Sequence, residues 1–205
     1  MHERKITAIA LAMLLASNVA EAAPFFTDDF EGSTPALDTA PPGWRVTDGT
    51  VDIAGPGLDA FLCGGSGTCI DLDGSTADAG ILERSFGLRA GTRYVLGFDL
   101  AGNRRSSGLE TGHVRFGDAR LDYALDDAQV QYQRFSLAYT PMLDGEAQLL
   151  FANDGGDLGG AILDNVRIDA DGTTAVPGPS PAPLMAIAAL ALVAGRQSGS
   201  SRLRN

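Results

Sequence analysis

Three carboxylates fall where their charge needs an answer. In AILDNVRID, Ile162, Asp164, Val166 and Ile168 share one face at the two-residue period of a strand. Three of the four are apolar, so Asp164 is expected to point with the core. A buried carboxylate is costly without a cation, an arginine or several N–H donors. In CIDLDG, Asp71 and Asp73 share a face in the same way. Oxygen ligands of this kind suit Ca²⁺. Cys63 and Cys69 bracket a flexible GGSGT. Two cysteines, with only His2 and His113 elsewhere, fall short of the roughly four ligands of a zinc site. Their spacing is not that of a redox CxxC. A local disulfide is the expectation, closing a short loop for about 2 kcal/mol.

Recognition chemistry has two candidates. Asn103, Arg104 and Arg105 lie in GNRRSSG, a loop after a strong strand pattern. Loops at sandwich ends carry recognition, and arginine suits carboxylated sugars, although a solvated hairpin tip accounts for the same residues. Trp44, the one tryptophan, could stack a sugar ring together with Tyr123 or Tyr132. Its position after PPG and before a strand favours the core instead. Catalysis has little support. His113 has no nucleophile in a recognisable setting, and neither G-x-S-x-G nor a phosphate loop occurs. Carboxylate pairs are common enough that counting them does not separate a glycosidase from a binding module.

The elements that must position these residues read as strands. Tyr94, Leu96, Phe98 and Leu100 alternate in one run; Val114 and Phe116, then Phe135, Leu137 and Tyr139, then Ala147, Leu149 and Phe151 repeat the pattern. Turn signals separate the runs at Asp48-Gly49, Asp73-Gly74, Ala90-Gly91, Asp144-Gly145 and Asp154-Gly155-Gly156. Helical periodicity is lacking between 25 and 170. The expectation is an all-β fold, an antiparallel β-sandwich. The 205-residue chain holds 26 Asp and Glu against 15 Lys and Arg, for a net charge of −11. Such a surface repels a phosphate backbone, which argues against nucleic acid as a partner.

Both ends read as processing segments. Residues 1–22 have the make-up of a signal peptide: Arg4 and Lys5, an apolar run from Ile6 to Val19, and a small-x-small site at Ala20-Glu21-Ala22. The domain is expected over 23–170. A Pro/Gly/Ser-rich linker follows at 171–183, then an apolar helix with a basic tail at 184–205. Leu184 to Gly195 is 12 residues. As a helix it spans about 18 Å against a hydrocarbon core of about 30 Å. That makes a weak tether, with Arg196, Arg202 and Arg204 held on the cytoplasmic side.

The tripartite end, with Val176-Pro177-Gly178-Pro179, a short apolar helix and Arg196, resembles the sorting signal of PEP-CTERM proteins. The motif carries Gly178 where the type motif has Glu. The resemblance implies an exosortase-type processing protease as partner. It also implies transient tethering to the inner membrane, then release to the surface or matrix of a Gram-negative bacterium. A plain C-terminal anchor is the alternative. The body is similar to galactose-binding-like jelly rolls, among them carbohydrate-binding modules, through DDFEGSTPALDTAPPGWRV, CIDLDGSTADAGILERSF, YVLGFDLAGNRR and GGAILDNVRID. That resemblance implies a non-catalytic domain binding exopolysaccharide or serving in a biofilm matrix. The alternatives are a purely structural surface protein and a polysaccharide-active enzyme. It also implies a structural Ca²⁺ held by Asp164 of the last strand and Glu31 near the first; the alternative is an Asp164 held by backbone N–H groups and a solvated Glu31, and Asp71 and Asp73 are weaker candidates from their strand parity alone.

Overall fold

The computed structural model describes residues 23–171, apart from 77, 106, 107, 127, 156 and 157. The segments read as signal peptide, as most of the linker and as sorting tail lie outside the described residues. Eleven strands and no helix occupy the described chain: β1 (Phe26–Asp28), β2 (Arg45–Val46), β3 (Asp52–Ala54), β4 (Cys69–Asp71), β5 (Ile81–Leu88), β6 (Arg93–Ala101), β7 (Leu109–Phe116), β8 (Ala119–Asp126), β9 (Gln133–Tyr139), β10 (Gly145–Asn153) and β11 (Ile162–Asp171). They form two sheets. One runs β3-β4-β11-β6-β9 with β1 added beside β11; the other runs β2-β5-β10-β7-β8. Every strand pairing is antiparallel. The β-sandwich expectation holds.

Alternation explains the layering. Tyr94, Leu96, Phe98 and Leu100 of β6 face Val114 and Phe116 of β7 and Leu149 and Phe151 of β10 across a single core. Each such fully buried side chain contributes about 1.5–3 kcal/mol over exposure. Phe98, Phe116 and Phe151 are among the largest fully buried groups, and ring contacts tie Phe98 to Phe151. Consecutive strands β7 and β8 meet through the two-residue turn Gly117-Asp118, with Phe116 opposite Ala119. Gly117 has a positive φ of 57°, and a Cβ there would run into the ring of Tyr139. Both constraints demand glycine.

First and last strands lie side by side, with Phe26 opposite Ile168 and Asp28 opposite Val166. In β11 the register slips between Asp164 and Arg167, where Asn165 adopts φ 51°. This bulge overturns the simple parity read from the sequence. Leu163, Val166 and Ile168 enter the main core, while Ile162 joins a second cluster. Asp164, two residues from Ile162, shares that outer face and does not point into the main core. One extra residue in a strand exchanges its faces downstream.

Candidate functional site

The outer face of the six-stranded sheet is roofed. The loop between β3 and β4 is closed by the expected Cys63–Cys69 disulfide, Cα atoms 5.5 Å apart. Beneath it, Leu62, Cys69, Ala54, Ala101 and Ile162 make the second apolar cluster, with Tyr132 packed against them. Asp71 lies on this face, fully buried. Its Oδ2 accepts from Asn103 Nδ2 at 3.0 Å and Arg105 Nη1 at 2.9 Å; its Oδ1 accepts from the N–H groups of Gly160 at 2.9 Å and Asp73 at 3.2 Å. Arg105 also pairs with Asp59. Burial, the larger effect, pushes the Asp71 carboxyl up to about 7; the Gly160 and Asp73 N–H groups, Arg105 and Asn103 oppose it.

That network corrects two expectations. Asp71 has both oxygens occupied by donors, so it has nothing left for a metal. Asn103, 0% exposed, and Arg105 turn inward and are not a free recognition tip. Arg104 does stay exposed, with only a long contact of 3.4 Å to the Val130 carbonyl. Asp73 goes elsewhere: it lies near Tyr123, whose hydroxyl is pushed well up by burial first and then by the charges of Asp154, Glu110 and Asp73. That hydroxyl donates within a buried group formed with Asn153, which in turn donates to Glu110.

Trp44 is 7% exposed and packs beside Phe26, Phe30 and Phe151, its indole N–H donating to Asp28 at 2.8 Å. It offers no face to a sugar. Tyr123 is buried and Tyr132 is packed into the second cluster, so neither completes a stacking platform.

Asp164 and Glu31 act on one another through their charges. Burial pushes the Asp164 carboxyl up to about 6, and the negative charges of Glu31, Asp99 and Asp29 add to it, against a hydrogen bond from the Asn165 N–H. Glu31 already accepts the Thr68 N–H at 3.2 Å. Among the described residues no group of three or more His, Cys, Asp or Glu converges on one metal position. The pair is a repelling patch of carboxylates and not a complete ligand shell.

The five-stranded sheet is different, and nothing in the motif reading pointed to it. Its outer face is open. A cleft there combines hollows of about 380 and 330 Å³ that share Asp118, Tyr139, Glu146 and Ala147. Ser85 of β5 and Gln148 of β10 are register partners, as are Leu150 of β10 and Arg115 of β7, so four strand side chains line its floor. Asp118, from the β7–β8 turn, and Tyr139, packed on Phe116 at 5.7 Å, wall it at one end. Beyond them the β9–β10 loop raises Met142 and Leu143, 92% and 81% exposed. Hydrogen bonds from the Gly91 N–H to the Pro141 carbonyl and from the Ala90 N–H to Asp144 hold that loop against the neighbouring turn. Donors (Ser85, Gln148, Arg115) and acceptors (Asp118, Glu146) thus surround an aromatic edge on rigid strands, which suits a polyhydroxylated ligand. The sequence held no motif that would have found it, because these residues come from separate strands and a turn.

The architecture defines a β-sandwich of the kind found in carbohydrate-binding modules. Among solved structures, the chain is similar to the CBM22-1 xylan-binding domain of Paenibacillus barcinonensis Xyn10C, with 12% identity and a TM-score of 0.51 over 76% of this chain and 100% of that one. It is also similar to part of an arabinose-bound GH51 α-L-arabinofuranosidase, with 9% identity and a TM-score of 0.50 over 71% of this chain and 26% of the enzyme. At such identities the likeness is one of fold. No protein-family profile and no curated protein sequence matches the chain.

Proposed function

We propose that this is an exported, non-catalytic carbohydrate-binding protein that takes a polysaccharide in the cleft over the five-stranded sheet. The cleft carries the reading: it is open and lined by hydrogen-bonding side chains that rigid strands hold in place. The xylan-binding domain of like fold makes xylan the first neutral polymer to try. Affinity electrophoresis of the full chain through gels containing xylan, polygalacturonate or a β-1,4-glucan tests the proposal. Retardation by at least one polymer, lost in Gln148→Ala with Ser85→Ala and with no shortening of the polymer, is expected. Free migration through all three gels would sink it.

The addressing belongs to the same proposal. The signal-peptide pattern of 1–22 and the tail around Val176–Pro179 and Arg196 support export, exosortase processing at the inner membrane, and delivery to the cell surface or exopolysaccharide matrix. Mass spectrometry of the protein from its host is expected to find Ala23 first and a C-terminus near Pro179; an intact tail would favour a permanent anchor. A structural calcium at the Glu31–Asp164 patch is a separate proposal, supported by the repulsion a cation would relieve. Water and backbone carbonyls would have to complete its shell. Calcium is expected to raise the melting temperature and EDTA to reverse the gain; an unchanged melting temperature removes the ion.

A further inference from the structure

Seven of the ten arginines in the described chain are ion-paired. Arg115 is not: among the described residues no carboxylate lies within ion-pairing distance of its guanidinium. Of the remaining three, Arg89, Arg104 and Arg115, only Arg115 lines the cleft. Its setting is unusual for so acidic a chain. On the outer face of the sheet its register partners are Leu150 on one side and Arg120 on the other. Like charges directly opposite across an antiparallel pair repel. Arg120 turns aside to Asp122, its Nη2 2.7 Å from Oδ1, which leaves Arg115 facing the cleft with its charge unanswered. His113, two residues along the same face, feels that field. Burial first, then the charge of Arg120 and, least, that of Arg115 hold its imidazole below the usual value, against Asp122 and Asp154. One unanswered cation therefore shares the cleft floor with the neutral donors Ser85 and Gln148.

We propose that the cleft selects an acidic polysaccharide, one whose uronate-type carboxylate pairs with the guanidinium of Arg115. This rests on the carbohydrate reading above and deepens it. A planar guanidinium presents two parallel N–H groups to a carboxylate and binds it with direction as well as charge. The ligand carboxylate answers the one cleft cation without an internal partner and relieves its repulsion with Arg120. Asp118 and Glu146, further along the wall, then accept from sugar hydroxyls. Spacing matters here: the same two carboxylates would repel a polymer charged at every point of contact, so the cleft favours an acidic unit placed at Arg115.

The test compares a xylan bearing sparse glucuronate branches, its fully methyl-esterified form and unbranched xylan, each titrated with the full chain and with the variants Arg115→Ala, Arg115→Lys and Arg104→Ala. The expected result is tight binding of the glucuronate-bearing xylan and weak binding of its ester. Arg115→Ala should lose about tenfold or more in affinity for the acid, at unchanged melting temperature. Arg115→Lys should recover part of the loss, added NaCl should weaken the interaction, and Arg104→Ala should bind as the unaltered chain does. Equal affinity for acid and ester, or an Arg115→Ala variant that binds the acid normally, overturns the acidic selection and leaves the carbohydrate reading standing. Failure to bind any of the three polymers removes both.

Discussion

The two outer faces of this sandwich spend their polar residues in opposite ways. On the six-stranded sheet the loops carrying Asp59, Cys63, Asn103 and Arg105 fold down over Asp71, which takes donors from Asn103, Arg105 and the Gly160 and Asp73 N–H groups. On the five-stranded sheet Ser85, Arg115, Glu146 and Gln148 stand in the open along a cleft. The first face looks chemically richer by residue type, with a buried acid, an arginine and an asparagine. Satisfied partners make it a clamp. Unsatisfied partners on the plainer face make it the better place for a ligand.

The sharpest way to break this contrast is at the clamp. Replacing Asp71 with alanine removes the acceptor shared by Arg105, Asn103 and the N–H groups of Gly160 and Asp73, and is expected to cost about 3–5 kcal/mol in urea unfolding. A loss below about 1 kcal/mol would mean that Asp71 is not what holds the roof down. Next in size, changing Cys63 and Cys69 together to serine removes the loop closure and should cost about 2 kcal/mol, seen as a lower urea midpoint with an unchanged slope.

A smaller effect sharpens the carboxylate patch. Asp164 has its folded pKa raised from 3.8 to about 6, so the folded state holds its proton more tightly than the unfolded state. Stability should therefore fall as pH rises between about 4 and 6, where the unfolded chain has already released the proton. The side chain is partly exposed, and solvent screening limits the effect to roughly 1 kcal/mol. Asp164→Asn should flatten that part of the stability-versus-pH curve; an identical slope in the variant would remove Asp164 as its source. The smallest stability effect belongs to the open face. Ser85→Ala with Gln148→Ala should shift unfolding by less than about 0.5 kcal/mol, because neither side chain holds the fold. A large destabilisation there would show that the face is structural after all.

Much of the scaffold was legible because burial writes itself into alternation. Tyr94 to Leu100, Val114 to Phe116 and Ala147 to Phe151 point where the two-residue period puts them. The disulfide was legible from two cysteines bracketing a short flexible loop. Asp164 was misplaced because parity counting has no way to see the bulge at Asn165, a single residue that exchanges the faces after it. Asn103 and Arg105 read as a loop tip because the acid that draws them inward sits more than thirty residues away. The cleft was not legible: its residues come from β5, β7, β9, β10 and a turn, and none forms a motif with its neighbours in the chain.

By itself, the amino-acid sequence determined the all-β class, the inward set of each regular strand, the cysteine pairing and the acidic surface. These follow from local periodicity and composition, which need no knowledge of what lies opposite. Only the tertiary structure decided which polar side chains were used up internally and which were left over. A charge is satisfied by its neighbours in space, and in this fold those neighbours come from strands far apart in the chain.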